Sequence, residues 1–305
     1  MLVVFPGQGS QKIGMGADIY EKFSCAKEVF QEVDDAISYK LSDLIFNGTE
    51  DELKLTQNAQ PAIMTVSMAF VRVLSAEFGV DVTEKASFFA GHSLGEYSAL
   101  CAAGVISLTD AAKILRVRGK AMTEACPNGG AMAAIIGLSM DDVEKIVNEI
   151  NSDSSLVQIG NDNSPRQIII SGHENAIEQA MTAAQNVGAK RALKLEVSGP
   201  FHSTLMEKAV EPLREILNSV EFKTPSKPII TNVTAKAETE GFKDILIKQL
   251  TSRVRWTETI QFAKNNGVNK CVEIGPGRVL TGLVKQIEGD METVNINSVD
   301  SLTLL

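Results

Sequence analysis

The stretch Ala86-Ser87-Phe88-Phe89-Ala90-Gly91-His92-Ser93-Leu94-Gly95-Glu96 decides how the chain is read. Ala86 to Ala90 is a short apolar run, the pattern of a buried strand. It stops at Gly91, and Gly91-His92-Ser93-Leu94-Gly95 fits G-x-S-x-G. A helix of small residues is expected to follow, to about Ala103. Strand, tight turn and helix in this order are the setting of a nucleophile elbow, where a sharp turn lifts a serine hydroxyl above a sheet. The two glycines leave room for crowded backbone, and the helix start offers oriented N–H groups to an oxyanion. Such a pentapeptide also occurs by chance, so its meaning comes from its flanks.

On the N-terminal side, Leu2 to Phe5 reads as a buried strand that breaks at Pro6-Gly7-Gln8-Gly9-Ser10. A helix is expected from Asp18 to Ser38. Another, apolar on most sides, is expected from Ala62 to Phe78, with Pro61 where the helix begins. On the C-terminal side, Thr109 to Glu124 reads as a helix, and Pro127-Asn128-Gly129-Gly130 as a turn and candidate boundary. The elements that follow alternate: strand Ala131–Gly137, helix Met140–Ile150, strands Leu156–Gly160 and Gln167–Ser171, helix Glu174–Val187, strand Arg191–Val197. The order βαββαβ predicts a small ferredoxin-like unit inserted into a larger α/β domain. Beyond Ser198-Gly199-Pro200 a helix is expected from Leu205 to Ser219, and strands over Pro228–Asn232 and Lys270–Ile274. Gly275-Pro276-Gly277 then turns into a helix, Val279–Ile287. The expected division is 1–126 with 198–305 for the larger domain and 127–197 for the insert.

The composition is ordinary for a globular chain: 305 residues, 44 % apolar and 22 % charged. A net charge of -9 and the lack of a long basic run argue against a nucleic-acid partner. Cys25, Cys101, Cys126 and Cys271 are scattered, with no CxxC pair, so neither a zinc site nor a disulfide framework is expected. Reduced thiols and a cytoplasmic location are the simple reading. The start is too short for a signal peptide, and no apolar run approaches a membrane span, so no membrane association is expected.

A nucleophilic serine needs a base, and the chain has three histidines. His92 adjoins Ser93, so its side chain should point elsewhere and line a pocket. His173 sits at a strand end in the insert, as a surface residue. That leaves His202, which follows Gly199-Pro200-Phe201. Thr204 and Glu207 have capping-box spacing, and a histidine beside a helix N-terminus tends to stay neutral, as a base must.

Arg118 stands out by position. Ala111, Ile114, Leu115, Arg118, Met122 and Ala125 fall on one face of their helix, and Lys113, Arg116, Lys120 and Glu124 on the other. Burying a guanidinium is costly unless an anion or hydrogen-bond network meets it. Two readings stay open: an ion pair with a buried carboxylate, or a bidentate clamp for a substrate carboxylate. The glycine-rich stretch Gly7 to Gly16 lacks the Lys-Ser/Thr of a phosphate loop. It reads instead as a loop giving the Gln8 N–H to an oxyanion hole shared with Leu94.

The blocks Phe5 to Gln11, Gln60-Pro61-Ala62, Gly91 to Glu96, Arg118 to Met122, Asn161 to Pro165, Phe201-His202-Ser203, Trp256 and Glu273 to Gly277 occur in this order over nearly the whole chain. In this the sequence resembles the bacterial malonyl-CoA:acyl-carrier-protein transacylases. The resemblance implies an α/β-hydrolase-like core with an inserted ferredoxin-like subdomain. It implies Ser93 as nucleophile, His202 as base, Arg118 as binder of the malonyl carboxylate, and Gln8 and Leu94 as oxyanion donors. It also implies a dyad oriented by a main-chain carbonyl or a glutamine rather than an aspartate, with Gln249 in the glutamine's place. Substrate contacts are implied at His92, Met122, Phe201, Gln60 and Asn161. Leu94 and Phe201 match the malonyl-selective members, where a bulky ring crowds an α-methyl branch. Gly199 departs from the larger residue often found there.

The activity implied is malonyl transfer from malonyl-CoA to acyl carrier protein through an acyl-serine, with no metal and no bound cofactor. A monomer is expected. Because carrier proteins are acidic, Lys113, Arg116 and Lys120, or Lys190 and Arg191, would form the docking patch. A serine hydrolase is the competing reading. Its chain order places an acid and then a late histidine after the serine, whereas about a hundred residues follow His202. A non-catalytic scaffold of the same fold is the other.

Overall fold

The computed structural model describes residues 1–127, 130–152 and 155–305. Eleven strands occur among them, in chain order β1 (Leu2–Phe5), β2 (Phe88–Gly91), β3 (Gly130–Ile136), β4 (Val157–Ser164), β5 (Gln167–His173), β6 (Arg191–Lys194), β7 (Ile229–Ile230), β8 (Ala237–Glu238), β9 (Val254–Arg255), β10 (Lys270–Ile274) and β11 (Glu292–Ile296). They form two sheets, ordered β11-β10-β1-β2-β7-β8 and β6-β3-β5-β4-β9.

The larger sheet is built outward from β1, which lies parallel between β10 and β2. Successive side chains of a strand point to opposite faces. Val3, Phe5 and Phe89 therefore enter one core, with helices Thr56–Phe78 and Leu108–Ala125. Leu2, Val4 and Ala90 enter the other, with Trp256, Ile260 and Val284. Burial on both faces is why β1 is an unbroken apolar run. β11 pairs parallel with β10 and was not expected from sequence. It is an edge strand, mostly half-exposed, and carries no apolar run.

In the smaller sheet β3 pairs antiparallel with β5 and β6, and β4 antiparallel with β5. Helices Met140–Ile150 and Glu174–Asn186 complete the sequence β-α-β-β-α-β. Ala131, Ala133, Ile135, Ile168 and Ile170 pack on those helices. The alternate residues Met132, Ala134 and Ile169 face the larger core. β9 adds a parallel fifth strand from the C-terminal part of the chain, pairing Asn161 and Asp162 with Val254 and Arg255.

Several elements differ from the sequence reading. The helix expected over Asp18–Ser38 is two, Ala17–Lys22 and Ser24–Ile37, separated by Phe23 in extended conformation. The break lets the Phe23 ring meet that of Phe78, with centroids 6.3 Å apart. β6 ends at Lys194, short of Val197. The helix after His202 begins as a 3-10 turn, Thr204–Ala209, and becomes α-helical over Val210–Asn218. Asn128 and Gly129 of the expected turn lie outside the described residues.

The helix expected to begin at Pro61 begins at Thr56. Pro61 removes the N–H that would bond the Gln57 carbonyl. Arg116 Nη1 donates to that carbonyl at 2.9 Å, which lets the helix run through the proline. Arg116 also donates to Asn58 Oδ1 and lies over the Tyr39 ring, 4.8 Å from its centroid. It is half-buried and committed to the fold, which removes it from the solvated face where sequence placed it. This helix is the one, among the described residues, long and apolar enough by length and composition to cross a membrane. Here it is mostly buried against the sheet and the helix Leu108–Ala125.

Candidate active site

The turn after β2 is built by close backbone approach. A Cβ on Gly91 would lie 1.9 Å from the Gly95 carbonyl carbon, and one on Gly95 would lie 2.2 Å from the Phe5 carbonyl oxygen. Only glycine fits at either position. Ser93 between them has φ 52, the left-handed region that a side chain adopts only under constraint. Helix Gly95–Ala102 starts immediately afterwards. The hydroxyl is thereby held just beyond the end of β2, at a cavity that residues of the smaller sheet also line.

His202 meets that hydroxyl. Its Nε2 is 2.8 Å from Ser93 Oγ, and its Nδ1 is 2.9 Å from the Gln249 carbonyl oxygen. A carbonyl only accepts, so Nδ1 carries the proton and the Nε2 lone pair faces the serine O–H. The expected capping box at Thr204 and Glu207 does not form. Thr204 N donates to Gln158 Oε1 at 2.7 Å, and Ser203 Oγ donates to the Pro200 carbonyl at 2.6 Å. His202 is nevertheless held neutral: burial first, and the Arg118 charge second, push its pKa down to about 3. The cause is desolvation rather than a helix terminus.

Arg118 is fully buried. Its Nη1 donates to Gln60 Oε1 at 2.7 Å. Its Nη2 donates to Gln249 Oε1 at 2.9 Å and to Ser93 Oγ at 3.1 Å. Nε has no partner, and the guanidinium carbon stands 5.3 Å from the centroid of the Tyr97 ring. Among the described residues no carboxylate forms an ion pair with it. Of the two readings left open by the sequence, the structural ion pair is therefore absent. Neutral amide oxygens hold a cation beside the serine hydroxyl. Glu96, fully buried on the elbow helix, has its pKa raised to about 7, chiefly by burial.

A cavity of about 240 Å³ opens above Ser93 and His202. Its walls include Gln8, Gln60, His92, Leu94, Met122, Asn161 and Phe201, every pocket residue expected from sequence except Arg118, which does not line the cavity and reaches it only through its bond to Ser93 Oγ. Met132, Ala134 and Ile169 of the smaller sheet form the roof. Neither Gln8 N–H nor Leu94 N–H has an intramolecular acceptor among the described residues. His92 points away from Ser93, with Nε2 2.8 Å from Asn163 Oδ1, and Asn163 Nδ2 donates to Gln167 Oε1 at 3.1 Å. His173 is half-buried rather than a free surface residue, its Nδ1 accepting the Leu156 N–H at 3.0 Å. No cluster of three or more His, Cys, Asp or Glu side chains suited to a metal occurs among the described residues.

Sequence reasoning missed Asn232. Its Oδ1 accepts the Ser93 N–H at 2.8 Å and its Nδ2 donates to the Gly91 carbonyl at 2.6 Å. One asparagine two residues beyond a two-residue strand carries no periodic or spacing signal.

The comparisons agree with this geometry. A model of the acyl transferase domain family matches residues 2–299. The chain is 46 % identical over 304 residues to a malonyl CoA-acyl carrier protein transacylase of Bacillus subtilis (strain 168), covering 99 % of this chain and 94 % of the relative. The crystal structure of an acyl-carrier-protein-S-malonyltransferase from Bartonella henselae matches with a TM-score of 0.96 and 49 % identity, over 99 % of this chain and 97 % of that one. A malonyl-transacylase in complex with its holo type II PKS acyl-carrier protein matches with a TM-score of 0.94 and 42 % identity, over 99 % and 97 % of the two chains. A half-buried serine paired with a buried histidine and an arginine beside it, on a fold matched from end to end, places the chain in the acyl transferase family, among the malonyl CoA-acyl carrier protein transacylases.

Proposed function

We propose that the chain moves a malonyl group from malonyl-CoA to the phosphopantetheine thiol of acyl carrier protein, through a malonyl ester on Ser93, in the service of fatty-acid synthesis. One observation carries this reading: a buried guanidinium without a carboxylate partner lies 3.1 Å from a serine hydroxyl that is itself 2.8 Å from a histidine base. An acyl group ending in a carboxylate supplies the missing anion.

In the first half-reaction His202 Nε2 takes the Ser93 proton as Oγ adds to the thioester carbonyl. The Gln8 and Leu94 N–H groups receive the oxyanion. Collapse breaks the C–S bond, and the CoA sulfur leaves with the proton from His202. In the second half the carrier thiol gives its proton to His202 and adds to the ester carbonyl. Serine then leaves with that proton. The Gln249 carbonyl keeps the proton of the resting imidazole on Nδ1. Arg118 holds the malonyl carboxylate in both halves by releasing the N–H it shares between Ser93 and Gln249. Double displacement of this kind predicts ping-pong kinetics.

The fold class that best suits this chemistry is an α/β-hydrolase-like core, 1–126 with 198–305, carrying a ferredoxin-like subdomain, 127–197. The separate apolar cluster under the smaller sheet supports the division. All the groups named come from one chain, so a monomer suffices, with the carrier protein as a transient partner. A cytoplasmic location and chemistry without metal or bound cofactor complete the reading. Intact mass after brief exposure to malonyl-CoA tests it. Wild type should gain one malonyl group, Ser93→Ala none, and Arg118→Ala much less. An unmodified wild type that is instead acylated by acetyl-CoA or simple esters sinks the malonyl reading.

A further inference from the structure

We infer that Asn232, anchored by Glu96, is a positioning residue that holds the Ser93 elbow in register. The inference rests on the acyl-serine reading above and concerns how the nucleophile is aimed.

β7 pairs parallel with β2, with Phe89 opposite Ile229 and Ala90 opposite Ile230. Continued by two residues, that register sets His92 opposite Asn232. In a parallel ladder a residue donates its N–H to the carbonyl before its partner and accepts the N–H after it. The backbone of the elbow has turned away by then, and the side chain of Asn232 makes both bonds instead. Nδ2 donates to the Gly91 carbonyl at 2.6 Å, and Oδ1 accepts from Ser93 N–H at 2.8 Å. The carboxamide thus extends the sheet by one rung across a left-handed serine. Without it two polar groups of a partly buried turn would lack partners, and Ser93, at its native φ of 52, would lose a contact that holds it.

The clamp is itself held on both sides. The main-chain N–H of Asn232 donates to Glu96 Oε2 at 2.7 Å, and Asn232 and Glu96 are both fully buried. Gln249 Nε2 reaches Asn232 Oδ1 at 3.3 Å and the Ser93 carbonyl at 3.1 Å, while the Gln249 carbonyl orients His202. Ser93, His202 and Arg118 are therefore tied to one another through Asn232 and Gln249. Asn232 does not line the cavity, so it acts through Ser93 and touches no substrate.

The test compares Asn232→Ala, Asn232→Asp, Glu96→Ala and Glu96→Gln with wild type. Each is read by steady-state malonyl transfer and by the rate at which a fluorophosphonate labels Ser93. Misplacing a reacting atom by about 1 Å costs on the order of 100-fold, so kcat and labelling of Asn232→Ala should fall by about that factor. KM for malonyl-CoA should stay within about twofold, because the Arg118 contacts remain. Asn232→Asp keeps the acceptor for Ser93 N–H but sets an anion against the Gly91 carbonyl, and should be intermediate. Glu96→Gln keeps an acceptor for Asn232 N–H and should restore most of what Glu96→Ala loses. If Asn232→Ala does not fold, Asn232→Asp and the Glu96 pair decide the matter by the same kcat and KM readings. A folded Asn232→Ala with wild-type kcat and labelling overturns the inference, as does equal loss in Glu96→Gln and Glu96→Ala. Were wild type inert to malonyl-CoA, a labelling rate that still drops in Asn232→Ala would uphold the clamp while the malonyl reading failed.

Discussion

Replacing His202 with glutamine should change how the stability of the fold depends on pH. In the folded chain burial and Arg118 hold the His202 pKa near about 3, against 6.5 when unfolded. Between those values the unfolded chain takes up a proton that the folded chain refuses, so this residue costs the fold stability as pH falls. At about 1.36 kcal/mol per pH unit the loss is about 2 kcal/mol from pH 6.5 to 5. Glu96 works in the opposite sense. Its folded pKa is about 7 against 4.5 unfolded, so the fold holds a proton that the unfolded chain releases. Stability from Glu96 is complete below about pH 4.5 and is lost as pH rises toward 7, by about 3 kcal/mol in all. In wild type the two oppose each other between pH 7 and 5. His202→Gln should therefore grow more stable relative to wild type as the solution is acidified, and Glu96→Gln less stable. Urea denaturation at several pH values checks this. The single tryptophan, Trp256, is buried with its ring centroid 5.6 Å from that of His92 and reports on the core beside the site. Subtracting the wild-type curve cancels the titrating groups that are not coupled to His202, and leaves its nearest titrating neighbour His92 as the one to compare. A His202→Gln minus wild-type difference that stays constant from pH 7 to 5 would refute a buried neutral His202.

Two further substitutions test the packing that carries the site. Gly95→Ala sets a methyl 2.2 Å from the Phe5 carbonyl oxygen, so either β1 or the elbow must shift. Overpacking of this kind costs about 1–3 kcal/mol, and both the melting temperature and Ser93 labelling should fall. Arg116→Met keeps the aliphatic stem but strands the Gln57 carbonyl beneath Pro61. A lost partner costs a fully buried acceptor about 1–3 kcal/mol, and this carbonyl is partly buried, so stability should drop by up to that amount while kcat/KM for malonyl transfer is unchanged. Equal stability in Arg116→Met would mean that water serves that carbonyl as well.

What could be read from the sequence was what local pattern encodes. Glycines at 91 and 95 after an apolar strand mark a turn that no other residue can make, and they locate Ser93. One arginine among Ile114, Leu115 and Met122 breaks a helical stripe, which marks Arg118 by local pattern alone. The residues that escaped are those whose partners lie far along the chain. Asn232 and Glu96 meet across 136 residues and Gln249 reaches Ser93 across 156, so no window of sequence contains both ends. The misplaced helix start at Pro61 has the same origin. Proline ordinarily limits a helix, and here an arginine 59 residues away from Gln57 fills the carbonyl that the proline leaves bare. β11 escaped because an edge strand with one half-exposed face needs no apolar run.

Nδ1 of His202 faces a main-chain carbonyl and no carboxylate, so no anion behind the imidazole favours its protonated form. In front of it stands Arg118, whose charge opposes protonation. In the free enzyme His202 is thus a weak base. A substrate carboxylate laid on Arg118 neutralises that opposition and strengthens the base at the moment the serine must lose its proton. Selection for an acyl group with a carboxylate would then act on catalysis as well as on binding, because a plain acyl thioester leaves the guanidinium uncompensated. The histidine resonances can decide this, since His92, His173 and His202 are the chain's full complement. In Arg118→Ala the His202 pKa should rise from about 3, remaining below 6.5 because burial is the larger cause. It should rise in the same direction in wild type trapped as the malonyl ester. A His202 that titrates at one pH in all three forms would separate base strength from carboxylate binding and leave Arg118 a binding residue alone.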